Sequence, residues 1–351
     1  MSNNTSPSSA PSNGSKIEMT TRFAISADDV RSAAAMIASV AVRTPLLEFA
    51  SLNALTGSRV LVKFEGAQHT GSFKFRGAYN RLARIDASAK AAGVVAWSSG
   101  NHAQGVAAAA RLLGMPAAIV MPSDAPIIKI ENTRALGAEV VLYDRETESR
   151  ETIAGNLSVR RGAILVPSYD DPFVIAGQGT IGLEILSQAA EAGIRVGQVL
   201  ICCGGGGMTA GIATAIKDTA PATQIYCVEP QAFDDTARSL ASGKRESVPK
   251  GARSICDALM TNSPGELTFP INQALLSGAL TVSDDQVRSA ICFAFETMKL
   301  VVEPGGAVAL AALLEGLAPP AEGATVVIIS GANVDPELYA AIITKSGRRN
   351  P

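Results

Sequence analysis

The sequence contains only two histidines and five cysteines among its 351 residues. The cysteines, at positions 202, 203, 227, 256 and 292, form no Cys-x-x-Cys pair, so we expect no zinc site built from His and Cys. Their odd number and long spacing are typical of reduced thiols in a cytoplasmic protein rather than of a disulfide framework.

The sequence also lacks an excess of charge of either sign. Thirty basic residues face 32 acidic ones, and the net charge of −2 argues against a nucleic-acid partner. No apolar run reaches the roughly 18 residues of a membrane span, so no membrane partner is expected. The 47% of hydrophobic residues suffice for a large core, and the length predicts about two domains of roughly 150 residues each.

The N-terminus has almost no residues that could enter a core. Thirteen of the first sixteen residues, MSNNTSPSSAPSNGSK, are Ser, Asn, Thr, Pro or Gly. Such a segment cannot bury enough apolar surface to offset the entropy lost on ordering, and it lacks the apolar stretch of a signal peptide. We therefore predict a disordered tail over residues 1–20.

The rest of the chain alternates short aliphatic runs with helical patterns. The alternation predicts an α/β fold with parallel sheets that are covered by helices on both faces. The predicted strands are 59–64, 93–97, 117–121, 139–143, 198–203, 224–228 and 325–330, and the predicted helices include 26–41, 102–113, 127–136 and 209–217.

Lys74 lies in the segment QHTGSFKFRGAYN, residues 68–80, with Phe73 beside it. Thr70, Gly71 and Ser72 favour a turn, and a helix can follow. An amine in a partly desolvated pocket has a lowered pKa and becomes a nucleophile toward an aldehyde. A single lysine on a helix is more often a solvated surface group, so the residue alone does not decide between these interpretations.

Four consecutive glycines, at 204–207, lie between a predicted strand and a predicted helix. Their N–H groups and the helix N-terminus could bind a phosphate. Two alternatives remain open. The pattern Gly205-x-Gly207-x-x-Ala210, with Glu229 further on, also matches a loose dinucleotide-binding fingerprint. The glycines could instead form a purely structural turn.

The segment SSGNH, residues 98–102, follows a predicted strand and opens an Ala-rich helix. Exposed N–H groups at a helix start suit a carboxylate. An ordinary Ser or Asn cap is the alternative.

Together these segments resemble one known family. TGSFKFRGA, SSGNHAQG at 98–105, GGGGMTAG at 204–211 and SGANVD at 330–335 are similar, in this order, to motifs of the fold-type II pyridoxal-phosphate enzymes of the serine/threonine dehydratase and serine racemase family. The resemblance implies a tryptophan synthase β-like fold with the cofactor between two parallel-sheet domains. We expect the large domain to comprise 21–85 and 170–351, and the small domain 86–169.

The resemblance implies a cofactor site around Lys74, which would carry pyridoxal 5'-phosphate. Ser330 would hydrogen-bond the ring nitrogen, and Asn101 the 3-hydroxyl. Glu303 is similar to a family acid near the cofactor, although a helix-capping role is equally consistent with its position. The implied cofactor contacts are Phe73, Lys74, Asn101, Gly204, Gly205, Gly206, Gly207, Met208 and Ser330.

Substrate contacts are implied in the same way. Ser98, Asn101 and His102 would hold the α-carboxylate of an amino acid, and Ser99 would face Cα from the side opposite the lysine. Arg150 matches an arginine that closes over the substrate, although a solvated helix arginine is an equally open interpretation.

A cation site is implied by the segment EPQAFDD. Glu229, Phe233 and Asp235 match the site of metal-dependent family members, in which two carboxylates and one main-chain carbonyl bind the ion. Oxygen ligands favour Mg²⁺, Mn²⁺ or Ca²⁺ over zinc. The alternative is a solvated acidic loop.

The predicted function is an ammonia-lyase, or dehydratase, that converts a β-hydroxy amino acid to a keto acid and ammonia. Serine, threonine and 3-hydroxyaspartate all fit, and Arg150 would favour the last because it could meet a second carboxylate. The alternatives are an amino-acid racemase with Lys74 and Ser99 on opposite faces, a cysteine-synthase-like β-replacement enzyme, and a non-catalytic pyridoxal-phosphate protein. The resemblance also implies a homodimer.

Overall fold

A computed structural model describes Met1 and residues 23–98, 100–125 and 127–346. Apart from Met1, the predicted disordered tail over 1–20 lies outside the described residues. Ten strands run through the described ranges: β1 (Leu46–Glu48), β2 (Val60–Phe64), β3 (Val94–Trp97), β4 (Ala117–Pro122), β5 (Glu139–Tyr143), β6 (Ile164–Leu165), β7 (Val196–Cys202), β8 (Gln224–Pro230), β9 (Gly278–Val282) and β10 (Ala324–Ile329).

Helices separate nearly all of these strands. They are α1 (Ala27–Ile37), α2 (Ala50–Thr56), α3 (Lys74–Ala83), α4 (Ala87–Lys90), α5 (Asn101–Leu112), α6 (Ile127–Ala135), α7 (Arg150–Arg161), α8 (Pro172–Glu191), α9 (Gly207–Thr219), α10 (Asp235–Ser242), α11 (Thr268–Leu275), α12 (Asp284–Phe293), α13 (Pro304–Leu314) and α14 (Pro336–Ser346). Short 3-10 turns lie at Glu65–Ala67, His69–Gly71, Gln231–Phe233 and Asp257–Leu259, and a π-helical turn at Ala294–Met298.

The strands form two sheets. The larger has the order β1-β2-β10-β7-β8-β9, and all of its neighbours are parallel except the edge pair β1 and β2. Its central strands are buried throughout, as near-continuous aliphatic runs require. The predicted α/β class with parallel sheets is therefore confirmed, whereas the antiparallel β1 was not predicted.

The smaller sheet has the order β5-β4-β3-β6 and is entirely parallel. All four of its strands lie within the predicted small domain, 86–169. The domain boundaries themselves stay a prediction.

A buried ion-pair network anchors the helix that begins at Lys74. Arg76 has no exposed side-chain surface, and its guanidinium contacts Glu65 at 2.8 Å and Glu184 at 2.6 Å. Lys63 also reaches Glu184, at 2.6 Å. A buried charge that loses its partner is strongly destabilising, so the network holds the start of α3 in one place on the larger sheet.

The described ranges also show the state of the cysteines and the length and polarity of the helices. All five cysteines lie within them and are buried, unpaired thiols. Each described helix is too short or too polar to cross a bilayer.

Candidate active site

Lys74 is the first residue of α3, and its ammonium lines a cavity between the two sheets. Nζ donates a hydrogen bond to the carbonyl of Ser168 at 2.9 Å and lies 5.0 Å from the centre of the Phe73 ring. Removal of water by the surrounding protein lowers the pKa of Lys74 to about 8, against an opposing effect of Glu303. About a tenth of this amine is therefore an uncharged nucleophile at pH 7, and about half at pH 8.

Three of the four glycines after β7, Gly205, Gly206 and Gly207, pack so tightly that they have no room for side chains. A Cβ at Gly205 would lie 2.4 Å from the ring of Tyr169. Gly206 has a φ of +88°, and its Cβ would lie 2.5 Å from Nδ2 of Asn272. Thr268 holds the carbonyl of Gly205 at 2.7 Å and so orients the loop. The N–H groups of the first turn of α9 are left available to bind an anion.

All the predicted cofactor contacts lie around one cavity. A phosphate at the glycine loop would leave an aldehyde near Lys74 and a ring nitrogen near the buried hydroxyl of Ser330. These residues therefore fit pyridoxal phosphate, although their individual roles stay predictions. The cavity is lined by Phe73, Lys74, Asn101, Gly204, Gly205, Gly206, Gly207, Met208 and Ser330, with Tyr169 and Glu303 besides.

A wider opening of about 430 Å³ leads from Lys74 toward solvent. Four predicted substrate contacts line it: Ser98, Asn101, His102 and Arg150. Gly100 occupies the N-cap position of α5, so first-turn N–H groups of this helix point toward the opening. Ser99 lies outside the described residues, and its predicted role as the second acid–base group stays a prediction.

His102 has a narrower range of roles than the sequence suggested. Its Nε2 lies 2.9 Å from the carbonyl of Val166, an acceptor, so Nε2 carries the proton. Burial lowers the pKa of His102 to about 3, and the ring is neutral. Nδ1 is then an acceptor that cannot donate to a carboxylate. Of the groups of His102, the main-chain N–H is therefore the donor that could bind a substrate carboxylate.

Arg150 begins α7 at the wall of the opening. Its Nε donates to the adjacent Glu151 at 2.8 Å, and the side chain is half-exposed. This arginine thus lines the opening and is also solvated, and its closing over a substrate stays a prediction.

Glu303 is the functional residue that the sequence left most open. It occupies the N-cap position of α13 but makes no side-chain capping bond. Instead its Oε1 accepts a hydrogen bond from Nδ2 of Asn101 at 2.6 Å, and burial raises the pKa of Glu303 to about 8. Its side chain therefore belongs to the site rather than to the helix cap.

The predicted cation ligands lie at the end of β8, which contains Glu229, and in the segment just after it, which contains Phe233 and Asp235. Both carboxylates are buried, but Glu229 accepts hydrogen bonds from the N–H groups of Thr236 and Ala237, at 3.0 and 2.8 Å. Neither carboxylate oxygen of Asp235 has a hydrogen-bond partner among the described residues. Within the same ranges no three His, Cys, Asp or Glu side chains form a metal-binding group. A cation here would depend on two carboxylates and the carbonyl of Phe233.

The dinucleotide-binding alternative is not supported by this arrangement. Glu229 has no exposed surface, so a group as large as a ribose cannot reach it. Lys74 faces the glycine loop across the same cavity, a feature that a nicotinamide site does not require.

Comparison with known proteins decides the family. The family model described as pyridoxal-phosphate dependent enzyme matches residues 37–331. The chain belongs to this family. The chain is 46% identical to an L-threo-3-hydroxyaspartate ammonia-lyase of Pseudomonas sp. over 316 residues, which cover 90% of this chain and 97% of the relative. It is 38% identical to the serine racemase of Schizosaccharomyces pombe over 91% of this chain and 97% of the other.

A solved structure agrees with these relatives. The T.th. threonine deaminase superposes with a TM-score of 0.84 at 45% identity, covering 89% of this chain and 99% of that one. The predicted fold-type II architecture is confirmed, and so is the predicted class of pyridoxal-phosphate dependent ammonia-lyase.

Proposed function

We propose that this family member is an ammonia-lyase for a β-hydroxy amino acid with a second carboxylate, of the L-threo-3-hydroxyaspartate type. The observation that carries the proposal is the guanidinium of Arg150, which lines the same opening as Lys74. A guanidinium is suited to a carboxylate, whereas the side chains of serine and threonine have no group that needs one. The similarity to the Pseudomonas enzyme supports the same substrate class.

In the proposed reaction the cofactor and Lys74 have separate roles. Bound pyridoxal phosphate supplies an aldehyde for the substrate amine and a ring that withdraws electrons from Cα. Lys74 has a pKa of about 8, so it can accept the Cα proton near neutral pH. Loss of the β-hydroxyl as water, followed by hydrolysis of the C–N bond, gives a keto acid and ammonia. From 3-hydroxyaspartate the keto acid is oxaloacetate.

The substrate α-carboxylate would lie at the start of α5. The first-turn N–H groups and the side chains of Ser98 and Asn101 face this place, and the helix dipole favours an anion there. With the α-carboxylate so held, Cα would lie between this helix and Lys74.

We also propose a divalent cation bound by Glu229, Asp235 and the carbonyl of Phe233. The support is the pair of buried, unpartnered oxygen atoms on Asp235, since a buried carboxylate ordinarily has a partner. Mg²⁺, Mn²⁺ or Ca²⁺ would suit an all-oxygen set.

Racemase activity is a second candidate, favoured by the similarity to the yeast serine racemase. It requires an acid on the face opposite Lys74, which we assign to Ser99. Ser99→Ala should abolish racemisation and any activity on D-substrates while most L-elimination persists. Equal losses for both enantiomers would remove Ser99 from this role.

A homodimer in the cytoplasm completes the proposal and rests on the family resemblance and the cysteine pattern. Light scattering on the purified holoenzyme tests the dimer, and a mass of one chain, 36.1 kDa, would refute it.

The substrate is tested by supplying the holoenzyme with L-threo-3-hydroxyaspartate, L-serine and L-threonine and measuring keto acid and ammonia. We expect kcat/KM for 3-hydroxyaspartate to be at least about tenfold higher than for the other two, since a missing ionic contact typically costs this much. A higher value for serine or threonine would refute the proposed substrate class.

A further inference from the structure

Lys129 and Asp257 form an ion pair on the wall of the opening in front of Lys74. Nζ and Oδ2 are 2.6 Å apart. Lys129 lies on α6, which packs on the smaller sheet, whereas Asp257 begins the turn that packs against Gly204 beside the larger sheet. The pair therefore joins the two sides of the cavity.

The ammonium of Lys129 lies close to the place expected for the substrate α-carboxylate. A Cβ at Gly100, the N-cap of α5, would be 4.0 Å from Nζ. The distal carboxylate of a four-carbon amino acid lies within a few ångströms of its α-carboxylate. Such a group can therefore reach Lys129 when the amino acid is bound at α5.

The two partners differ in their access to water. The Lys129 side chain is 13% exposed, whereas that of Asp257 is 45% exposed. The lysine is therefore held in the wall, and the aspartate can turn into solvent at little cost. The two arginines of the opening are less firmly held, because the side chains of Arg150 and Arg245 are 46% and 38% exposed.

We propose that Lys129 is the fixed cation that binds the distal carboxylate of the substrate, and that Asp257 is its displaceable counter-ion. The inference rests on the proposed function and adds Lys129 to it, as a second and less exposed cation beside Arg150 for the same carboxylate. A second carboxylate can replace Asp257 at Lys129 with no net loss of ion pairing. A hydroxymethyl or hydroxyethyl side chain cannot, so serine and threonine would leave the pair intact.

The inference is tested by ligand binding to the holoenzyme, with malonate as the dicarboxylate and its monomethyl ester as the matched monocarboxylate. Dissociation constants are read from the visible absorbance of the bound cofactor. Lys129→Met should weaken malonate about tenfold and change the ester less than about twofold. Asp257→Asn should tighten malonate about threefold or more, because the competing carboxylate is gone.

Two controls separate charge from folding. Lys129→Arg keeps the charge and should keep malonate binding within about threefold. Arg145→Met breaks an exposed ion pair with Asp124 outside the opening and should change neither ligand. If Lys129→Met fails to fold, the Lys129→Arg and Asp257→Asn results decide.

Equal weakening of malonate and its ester by Lys129→Met, or unchanged or weaker malonate binding in Asp257→Asn, would overturn the inference. The wild-type substrate panel keeps the two proposals apart. A preference for serine combined with the expected malonate pattern would refute the proposed substrate but not the role of Lys129. A preference for 3-hydroxyaspartate without that pattern would refute the role of Lys129 alone.

Discussion

Asn101 and Glu303 meet inside the site, with 2.6 Å between Nδ2 of the amide and Oε1 of the carboxyl group. Asn101 begins α5 on the side of the smaller sheet, and Glu303 precedes α13 on the side of the larger one. Asn333 donates to Oδ1 of the same amide at 2.7 Å. These two hydrogen bonds fix both Nδ2 and Oδ1 of Asn101, so the side chain keeps one orientation at the cofactor cavity.

Removing the acceptor from this pair should loosen Asn101. Glu303→Ala leaves a buried amide donor unpaired, which costs about 1–3 kcal/mol. We expect a lower melting temperature and about tenfold weaker binding of pyridoxal phosphate. Glu303→Gln retains an acceptor oxygen and should stay within about threefold of wild type. Cofactor titration with thermal melting checks both variants, and equal defects in the two would contradict the hydrogen-bond role.

The lowered pKa of Lys74 should set the pH dependence of cofactor attachment. The uncharged amine is the nucleophile, so attachment to cofactor-free protein should become faster as the pH rises. With a pKa of about 8 rather than 10.5, the rate should level off above roughly pH 9. Stopped-flow absorbance after mixing with pyridoxal phosphate measures this profile. A rate that still rises several-fold between pH 9 and pH 10 would show an ordinary lysine.

Gly206 and Gly251 form a matched pair for testing the glycine loop. Their φ angles are +88° and +84°, but a Cβ would meet Asn272 at Gly206 and nothing within 4 Å at Gly251. Gly251→Ala should cost about 1 kcal/mol from backbone strain alone. Gly206→Ala should cost more and should weaken cofactor binding by at least about tenfold. Similar stability and cofactor affinity in the two variants would contradict a close-packed phosphate loop.

Removal of the proposed cation should lower activity and melting temperature together, because the ion binds the folded state. Mg²⁺, Mn²⁺ or Ca²⁺ should restore both in the wild type. Asp235→Asn should be insensitive to chelator and to added cation. Asp234→Asn alters the neighbouring acid, which pairs with Arg238, and should keep the wild-type response. An unchanged melting temperature of the chelated wild type would rule out a structural cation.

The sequence was sufficient for the elements whose pattern is local. The buried strands were predicted to within two residues at each end, because continuous aliphatic runs mark them directly. The strands β1, β6 and β9 were missed, since short or half-buried strands have no such run. The start of α1 at Ser26 was predicted, because the two residues of its capping box, Ser26 and Asp29, lie close together in the sequence. The helix ends at Ile37 rather than near Ala41.

The same distinction applies to the site, where residues in local motifs were predicted and contacts between distant segments were not. Motif resemblance identified Lys74, the glycine loop and Ser330, which the fold brings to one cavity. No motif singled out Lys129 or Asp257, whose contact joins positions 128 residues apart. The neutral tautomer of His102 likewise depends on a carbonyl 64 residues away. Such properties arise only when distant segments pack together.

The central claim is that Lys74 carries pyridoxal phosphate at this site. Borohydride reduction of the holoenzyme, followed by peptide mass spectrometry, tests it directly because reduction makes the lysine–cofactor bond permanent. We predict a pyridoxyl-phosphate adduct on the peptide containing Lys74, and no adduct and no turnover in Lys74→Ala. An adduct on another lysine of the wild type, or one retained in Lys74→Ala, would contradict the account.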